Sequence, residues 1–262
     1  MFLIIGETIE GFRALFPRGR FRWVLLILSG IAAGISVSEL LVMKFFSKLI
    51  LDESKVSSNK FKLLVIGFLI FFIVTRIGQY LQRSYRVTAF ERSFKAANKQ
   101  RSKREENAEW SMAFELTNIL SYGVQLIAIL AFFALIKPFI AAINVLIIIG
   151  ILFFLGGIFS KQLVVQLELA KLKGSEAPGA AHRHGHRVRA GEGGALASGA
   201  GMLLLLGSLL FFSLDGQVSV SNTLVIFLGA RLQNSVLSNV SRSLAKYARA
   251  KAIIETSKPN VG

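Results

Sequence analysis

FIAAINVLIIIGILFFLGGIFS, residues 139–160, runs for twenty-two residues without a charge. As a helix rising 1.5 Å per residue it is ~33 Å long, enough to cross the ~30 Å hydrocarbon core of a bilayer. Five further runs, roughly 24–50, 61–80, 112–136, 196–214 and 218–238, have the same character, which makes six candidate spans. The chain as a whole agrees: 53% of its 262 residues are hydrophobic, 22 are Phe, and the mean hydropathy is +0.57. Its charges are bunched between the apolar runs rather than interleaved at helical spacing. The expected fold class is an all-α membrane protein of six transmembrane helices.

The basic residues orient those spans. The segments Arg13–Arg22, Arg76–Arg104, Lys161–Arg189 and Arg231–Lys258 hold 25 of the 31 Lys and Arg residues. The alternate side keeps 6, namely Lys44, Lys48, Lys55, Lys60, Lys62 and Lys137. Positive charge stays cytoplasmic, so both termini are expected inside. In a soluble protein a net charge of +16 would point to nucleic acid. Here the basic residues flank apolar spans and face anionic headgroups, so membrane lipids are the expected partner and nucleic acid is not. No Cys is present, which removes disulfides and thiolate metal sites.

Residues 1–22 read as an interfacial helix. Ile5, Ile9, Phe12 and Phe16 recur at helical spacing, with Arg18, Arg20 and Arg22 following, and Pro17 and Gly19 break the segment before the first span. The apolar run at Met1–Ile5 is too short for a cleavable signal. Residues 23–258 form the transmembrane domain and 259–262 a tail. Small residues mark expected seams between helices, because lipid offers no hydrophobic drive for association. Gly30, Gly34 and Ser38 form one such series. Ala195 with Gly199, and Ala197 with Gly201, form others. Lys137-Pro138 and Asp215-Gly216 leave room only for tight outer turns.

Charges inside apolar runs are costly and mark sites. Arg231 and Arg76 lie deep in their spans, toward the cytoplasmic leaflet. Glu115 enters from that side, and Glu39 lies toward the outer leaflet. Beyond Leu228 the polar residues Arg231, Asn234, Ser235, Ser238, Arg242 and Ser243 share a side, and the pattern continues through Lys246–Lys251. One helix is therefore expected to leave the membrane unbroken. Arg231, Asn234, Ser235, Ser238 and Arg76 are the candidate substrate-pathway residues, lining a cavity for an anionic or headgroup-bearing molecule. Alternatively the arginines snorkel to the inner interface, or one pairs with Glu115.

Two basic-side segments carry further candidates. Lys103, Arg104, Glu105, Glu106 and Trp110 present alternating charge beside a membrane-level aromatic residue, as a docking surface for a partner or as a solvated helical extension. Residues 174–194 change abruptly to Gly, Ala, Arg and His, and are expected as an irregular basic linker. His182, His184 and His186 alternate there, and imidazoles two apart converge on a metal only if the segment is extended. No Cys completes such a set and the adjacent Arg residues repel a cation, so no metal site is assigned. No nucleophile–base pairing or paired intramembrane carboxylates occur, so no catalytic residue is assigned either.

Gly216-Gln217-Val218-Ser219, then Thr223–Leu228, then Leu244-Ala245-Lys246-Tyr247-Ala248-Arg249-Ala250-Lys251-Ala252-Ile253-Ile254-Glu255, resembles the last transmembrane helix of the membrane domain of a type I ABC exporter. In that family a short outer turn opens the helix, and a segment of this kind leads on toward the ATPase. The resemblance implies an exporter of a lipid, lipid-linked glycan or peptide, working as a homodimer or heterodimer in a bacterial plasma (inner) membrane. The chain contains no G-x-x-x-x-G-K-[ST]. The resemblance therefore implies that ATP and Mg are bound by a cytoplasmic ATPase that is another chain or has been removed. Residues 174–194 do not resemble the family. The alternative is a non-transporting scaffold or assembly protein on a degenerate exporter fold.

Overall fold

The computed structural model describes residues 1–16, 20–51, 58–96, 102–172 and 179–257. Among them are seven helices and no strand: α1 Phe2–Leu15, α2 Arg20–Leu51, α3 Ser58–Ala96, α4 Lys103–Ile136, α5 Pro138–Lys171, α6 Ala180–Leu214 and α7 Val220–Ser257. The protein is an all-helical bundle. Five helices are long and apolar enough to cross a membrane, over Arg22–Leu51, Phe61–Arg92, Lys103–Ile136, Pro138–Lys171 and His184–Leu214. α7, which carries the sixth expected span, is not among them. Its first half is interrupted by Arg231, Gln233, Asn234, Ser235 and Ser238.

Local chemistry sets the helix ends. α4 starts on a capping box: Ser102 Oγ accepts from the Glu105 amide at 3.3 Å, and the Glu105 carboxylate accepts from the Ser102 amide at 2.9 Å. α4 and α5 are joined by Lys137 alone, extended at φ −154° and ψ 97°, and Pro138 opens α5 where a missing amide hydrogen costs nothing. α6 and α7 are joined at Asp215–Ser219, where Gly216 takes φ +71°, a conformation that glycine reaches without strain. Both expected tight turns are present. We call this the hairpin end of the bundle, and the other the basic end.

α7 is the central element. It packs against α4, α6, α5 and α2, and its Val225, Ile226, Ala230, Val236, Leu237, Leu244 and Ala248 are buried. Phe133, Leu116 and Ile129 of α4 and Leu155 of α5 complete the core. α3 lies at the edge, held chiefly by α2, with Leu63, Ile66, Ile70, Ile73 and Ile77 exposed. Ser38 Oγ donates to the Phe71 carbonyl at 2.9 Å, and Gln82 Nε2 to the Leu28 carbonyl at 3.1 Å, which fixes the antiparallel register of α2 and α3.

At the basic end α1 lies against α4 and α5. Phe16 is fully buried and stacks on Phe90 at 5.7 Å, and Phe2 meets Phe153 edge-on at 6.4 Å. Ile5 and Ile9 remain exposed, so the face expected for Ile5, Ile9, Phe12 and Phe16 is divided between protein and surroundings. Pro17–Gly19, the expected break, lies outside the described residues.

Two expectations are corrected. Residues 180–194 are the first part of α6, not an irregular linker; residues 173–178 lie outside the described set. The helix forms because small residues let it sit under α7. Ser241 Oγ donates to the Ala190 carbonyl at 3.2 Å, and Gly194 packs directly on Ser241 and Leu155. The second correction concerns Gly30 and Gly34. A Cβ at either position would meet no neighbour within 4 Å, so this stripe faces out of the bundle. Ser38 alone of that series turns to a neighbouring helix. In α6 the close contacts are at Gly194 and at Gly201, which faces Ile147 and Ile151, whereas Gly199 is open.

This predicts opposite outcomes for two glycines. Gly194→Leu should destabilise the detergent-solubilised protein by about 1–3 kcal/mol or more through overpacking. Gly34→Leu should leave the thermal midpoint unchanged. A matched loss in both would show that the α6–α7 contact is not the tight one.

Candidate functional site

The expected pathway residues fall into two groups. Arg231, Asn234, Ser235 and Ser238 lie on α7. Arg231 and Ser235 are exposed, and Arg231 has no hydrogen-bond or ion-pair partner among the described residues. Asn234 is half-buried with its Oδ1 enclosed and without a hydrogen-bond partner. Ser238 shares a hydrogen bond of 2.8 Å with Ser198 of α6. Arg76 lies on α3, which packs on α2 rather than α7, and it belongs to a different cluster. It donates to Gln79 Oε1 at 3.3 Å, sits 5.2 Å from the Phe72 ring centre, and Gln79 in turn donates to Glu39 Oε1 at 3.0 Å.

The α2–α3 register sets Glu39 beside Gln79 and Arg76, so two charges expected at different depths share one level of the bundle. Glu115 also pairs differently. It reaches neither Arg231 nor Arg76. It lies 3.5 Å from Lys246 Nζ of α7 and accepts from Asn118 Nδ2 at 3.3 Å. Asn118 Oδ1 also accepts from Arg86 Nη1, so a polar chain crosses from α3 through α4 to α7.

The docking residues gather at the first turns of α4. Lys103, Arg104 and Glu106 are exposed, and Glu105 is engaged in the capping box. Trp110 is not a free anchor: it stacks on Phe114 at 6.0 Å and meets Phe90 edge-on at 6.1 Å, so it packs into the core. The side chain of His182 lies outside the described set. His184 and His186 are on helical backbone, where residues two apart point to different sides, so the extended geometry that would converge them is absent. Among the described residues no three His, Cys, Asp or Glu side chains are grouped to hold a metal.

Three interactions were not anticipated. Asn144 of α5 and Gln233 of α7, both buried, exchange two amide hydrogen bonds of 2.7 and 2.8 Å. Their signal in the sequence is plain in retrospect, since Asn144 is the lone strongly polar side chain between Phe139 and Phe159. At the basic end Gln162 Nε2 donates to the His186 carbonyl, tying α5 to the start of α6. On the other flank α7 clasps α1. Tyr247, almost fully buried, donates to the Glu7 carbonyl at 3.1 Å, and Lys251 pairs with Glu7 and, at 3.6 Å, with Glu255. Gly11 leaves room for the Tyr247 ring. Burial, then the charges of Glu7, Glu10 and Glu255, push the Tyr247 hydroxyl well above its ordinary pKa. Burial opposes the Lys251 ammonium, but the hydrogen bond and charge of Glu7, with Glu255 and Glu10, outweigh it and raise its pKa.

Two clefts flank the end of α7. One, of about 240 Å³, is lined by Glu7, Glu10, Glu109 and Glu255 with Tyr247 and Lys251. The other, of about 230 Å³, is lined by Arg104, Gln166, His184, Arg187 and Arg249 among others. Neither includes Arg231 or Arg76. No family model matches the chain, and no curated protein matches it.

The amide pair can be tested directly. Asn144→Ala leaves the buried Gln233 amide unpartnered and should cost about 1–3 kcal/mol, whereas the double replacement Asn144→Leu with Gln233→Leu should recover most of that loss. Equal destabilisation by the single and double variants, measured by thermal unfolding in detergent, would count against a coupled pair. The clasp has a pH signature. A raised lysine pKa contributes in full below the ordinary value of 10.5 and is lost only as pH rises through the higher folded value. Protease protection of α1 should therefore hold from neutral pH to about 10. Loss of protection below that would mean Lys251 is not the contact that holds α1.

Proposed function

We propose that this chain is the membrane-spanning subunit of an ATP-driven exporter of a lipid, lipid-linked glycan or peptide. Its partner in this reading is a cytoplasmic ATPase domain or subunit that binds the ATP and Mg. The basic end faces the cytoplasm, in keeping with 25 of 31 Lys and Arg lying on that side, and α7 is the sixth span despite its polarity. The observation that carries this reading is α7 itself. It is one unbroken helix of 38 residues, ~57 Å long, reaching from the hairpin end well past a ~30 Å hydrocarbon core. Such a helix links a membrane pathway to a partner beyond it.

Arg231 supports a pathway shared with a second subunit. It lies eleven positions past Val220, ~16 Å down α7, at a depth where a bare guanidinium facing lipid is costly. Exposed and without a partner among the described residues, it needs water or protein, and a two-fold dimer places the same face of two copies together. Arg231, Ser235 and the Asn234 amide then line a wet surface for an anionic substrate group, and Arg76 stays with Glu39 on the α2–α3 hairpin. Lys103, Arg104 and Glu106 are the docking positions for the ATPase. A non-transporting scaffold on a degenerate exporter fold is the second reading, favoured by residues 174–194, which depart from the family pattern.

One measurement tests the orientation and a second separates the two readings. The chain is free of Cys, so single cysteines report sidedness: Ser219→Cys should react with an impermeant reagent in intact cells and Ser102→Cys should not. Reversed labelling would overturn the orientation. With the partner ATPase in proteoliposomes, Arg231→Ala should lower substrate transport about ten- to a hundredfold, the loss of a charge-assisted contact. Arg231→Lys should restore part, since charge remains while the bidentate fork is lost. Full transport by a well-expressed Arg231→Ala protein would remove this residue from the pathway. An intact chain that supports no ATPase would favour the scaffold.

A further inference from the structure

The cleft at the basic end brings together Arg104 of α4, Arg187 and His184 of α6, Arg249 of α7 and Gln166 of α5. Three guanidiniums from three helices thus border one space of about 230 Å³. Among the described residues no carboxylate lines it and none of the three arginines is ion-paired. Like charges held this close raise one another's energy, and a fold that assembles them without a counter-charge leaves a place for one. The opposite flank of α7 shows the contrast, because there Lys251 is matched by Glu7 and Glu255.

Arg187 is positioned by its neighbours. Gln162 holds the first turns of α6 through the His186 carbonyl, which brings Arg187 over the end of α5. Arg187 Nη2 lies 2.8 Å from His184 Nδ1, so the guanidinium donates to the ring beside it. Gln166 is buried at the floor. Its position, 28 residues past Pro138, lies ~42 Å along α5, and Arg249, 29 residues past Val220, lies ~44 Å along α7. Those distances exceed a ~30 Å hydrocarbon core and match its headgroup boundary.

We propose that this cleft binds a phosphate group, carried either by an anionic lipid headgroup at the membrane surface or by a soluble phosphorylated molecule. Guanidinium forks match phosphate oxygens bidentately, and basic pockets between helices at this level take anionic headgroups. The volume holds a phosphate or pyrophosphate with some water, at ~30 Å³ per water. Nothing in this assignment depends on transport.

The test uses the full chain in neutral detergent, with pyrophosphate titrated at constant ionic strength and thermal unfolding as the readout. A second arm compares vesicles of phosphatidylcholine with and without phosphatidylglycerol. The cleft pair R187Q with R249Q is set against R92Q with K161Q, which removes the same charge from exposed positions elsewhere. Saturable stabilisation by pyrophosphate that weakens about tenfold or more in the cleft pair alone assigns a soluble phosphate. Stabilisation by phosphatidylglycerol lost in the cleft pair alone assigns the headgroup. Without ligand the cleft pair should be at least as stable as the parent, since repulsion is relieved. Equal effects of both pairs, a response to chloride equal to that of pyrophosphate, or no response in either arm overturns the proposal. Should the double variant not fold, R249K keeps the charge and loses the fork, and unchanged binding there overturns it equally.

Discussion

α7 is too polar to be surrounded by hydrocarbon, and the bundle is arranged around that constraint. In lipid a polar side chain finds partners inside the protein or costs free energy. α4, α5 and α6 each answer a part of it, as does α1. α5 meets Gln233 with Asn144, α6 meets Ser238 with Ser198 and Ser241 with the Ala190 carbonyl, and α4 meets Lys246 with Glu115. α1 closes the list by meeting Tyr247 and Lys251 with Glu7. The apolar residues of α7 then fill the spaces between these contacts, with Val225, Ile226 and Ala248 fully buried. α3, held chiefly by α2, is the edge helix.

What was legible in the sequence follows from which quantities hydropathy encodes. The apolar runs mark the helices because burial in a bilayer demands length and composition, and Lys137-Pro138 and Asp215-Gly216 mark turns because proline and glycine have backbone preferences of their own. The unbroken run from Thr223 to Lys251 was legible for the same reason. Register was not. Glu39 and Arg76 were placed on opposite sides by counting from the ends of their runs, yet Ser38 bonds to Phe71 and Gln82 to Leu28, which sets Glu39 level with Gln79. Side-chain fit between antiparallel helices fixes that offset, and no single helix carries it.

Periodicity is silent on direction in the same way. The spacing of Gly30, Gly34 and Ser38 says that they share a face, not which way the face points. Conversely, residues 180–194 have no apolar period and still form helix. Small residues at Ala190, Gly191 and Gly194 pack closely under α7, and close backbone approach leaves no trace in a hydrophobicity profile. For the candidate site the sequence conveys spacing along α7 but not neighbours: Arg231 and Ser235 are exposed, Ser238 bonds to Ser198 of α6, Arg76 belongs to another cluster and Trp110 packs against the core.

The end of α7 separates two clefts of opposite charge. Arg249 borders the basic one, while Tyr247, Lys251 and Glu255 border the acidic one. Two positions apart on a helix is a turn of ~200°, so the two sets point to opposite flanks. The acidic flank is tied down, with α1 clasped through Tyr247 and Lys251, and the basic flank is not. Any counter-ion that drew Arg249 toward Arg187 would act on one side of a continuous helix whose other side is held by α1. Arg231 lies eighteen residues further up the same helix, ~27 Å away, and no break intervenes to absorb a tilt. A displacement of α7 at the basic end would therefore act on the clasp with α1 and be carried along the helix toward the level of Arg231.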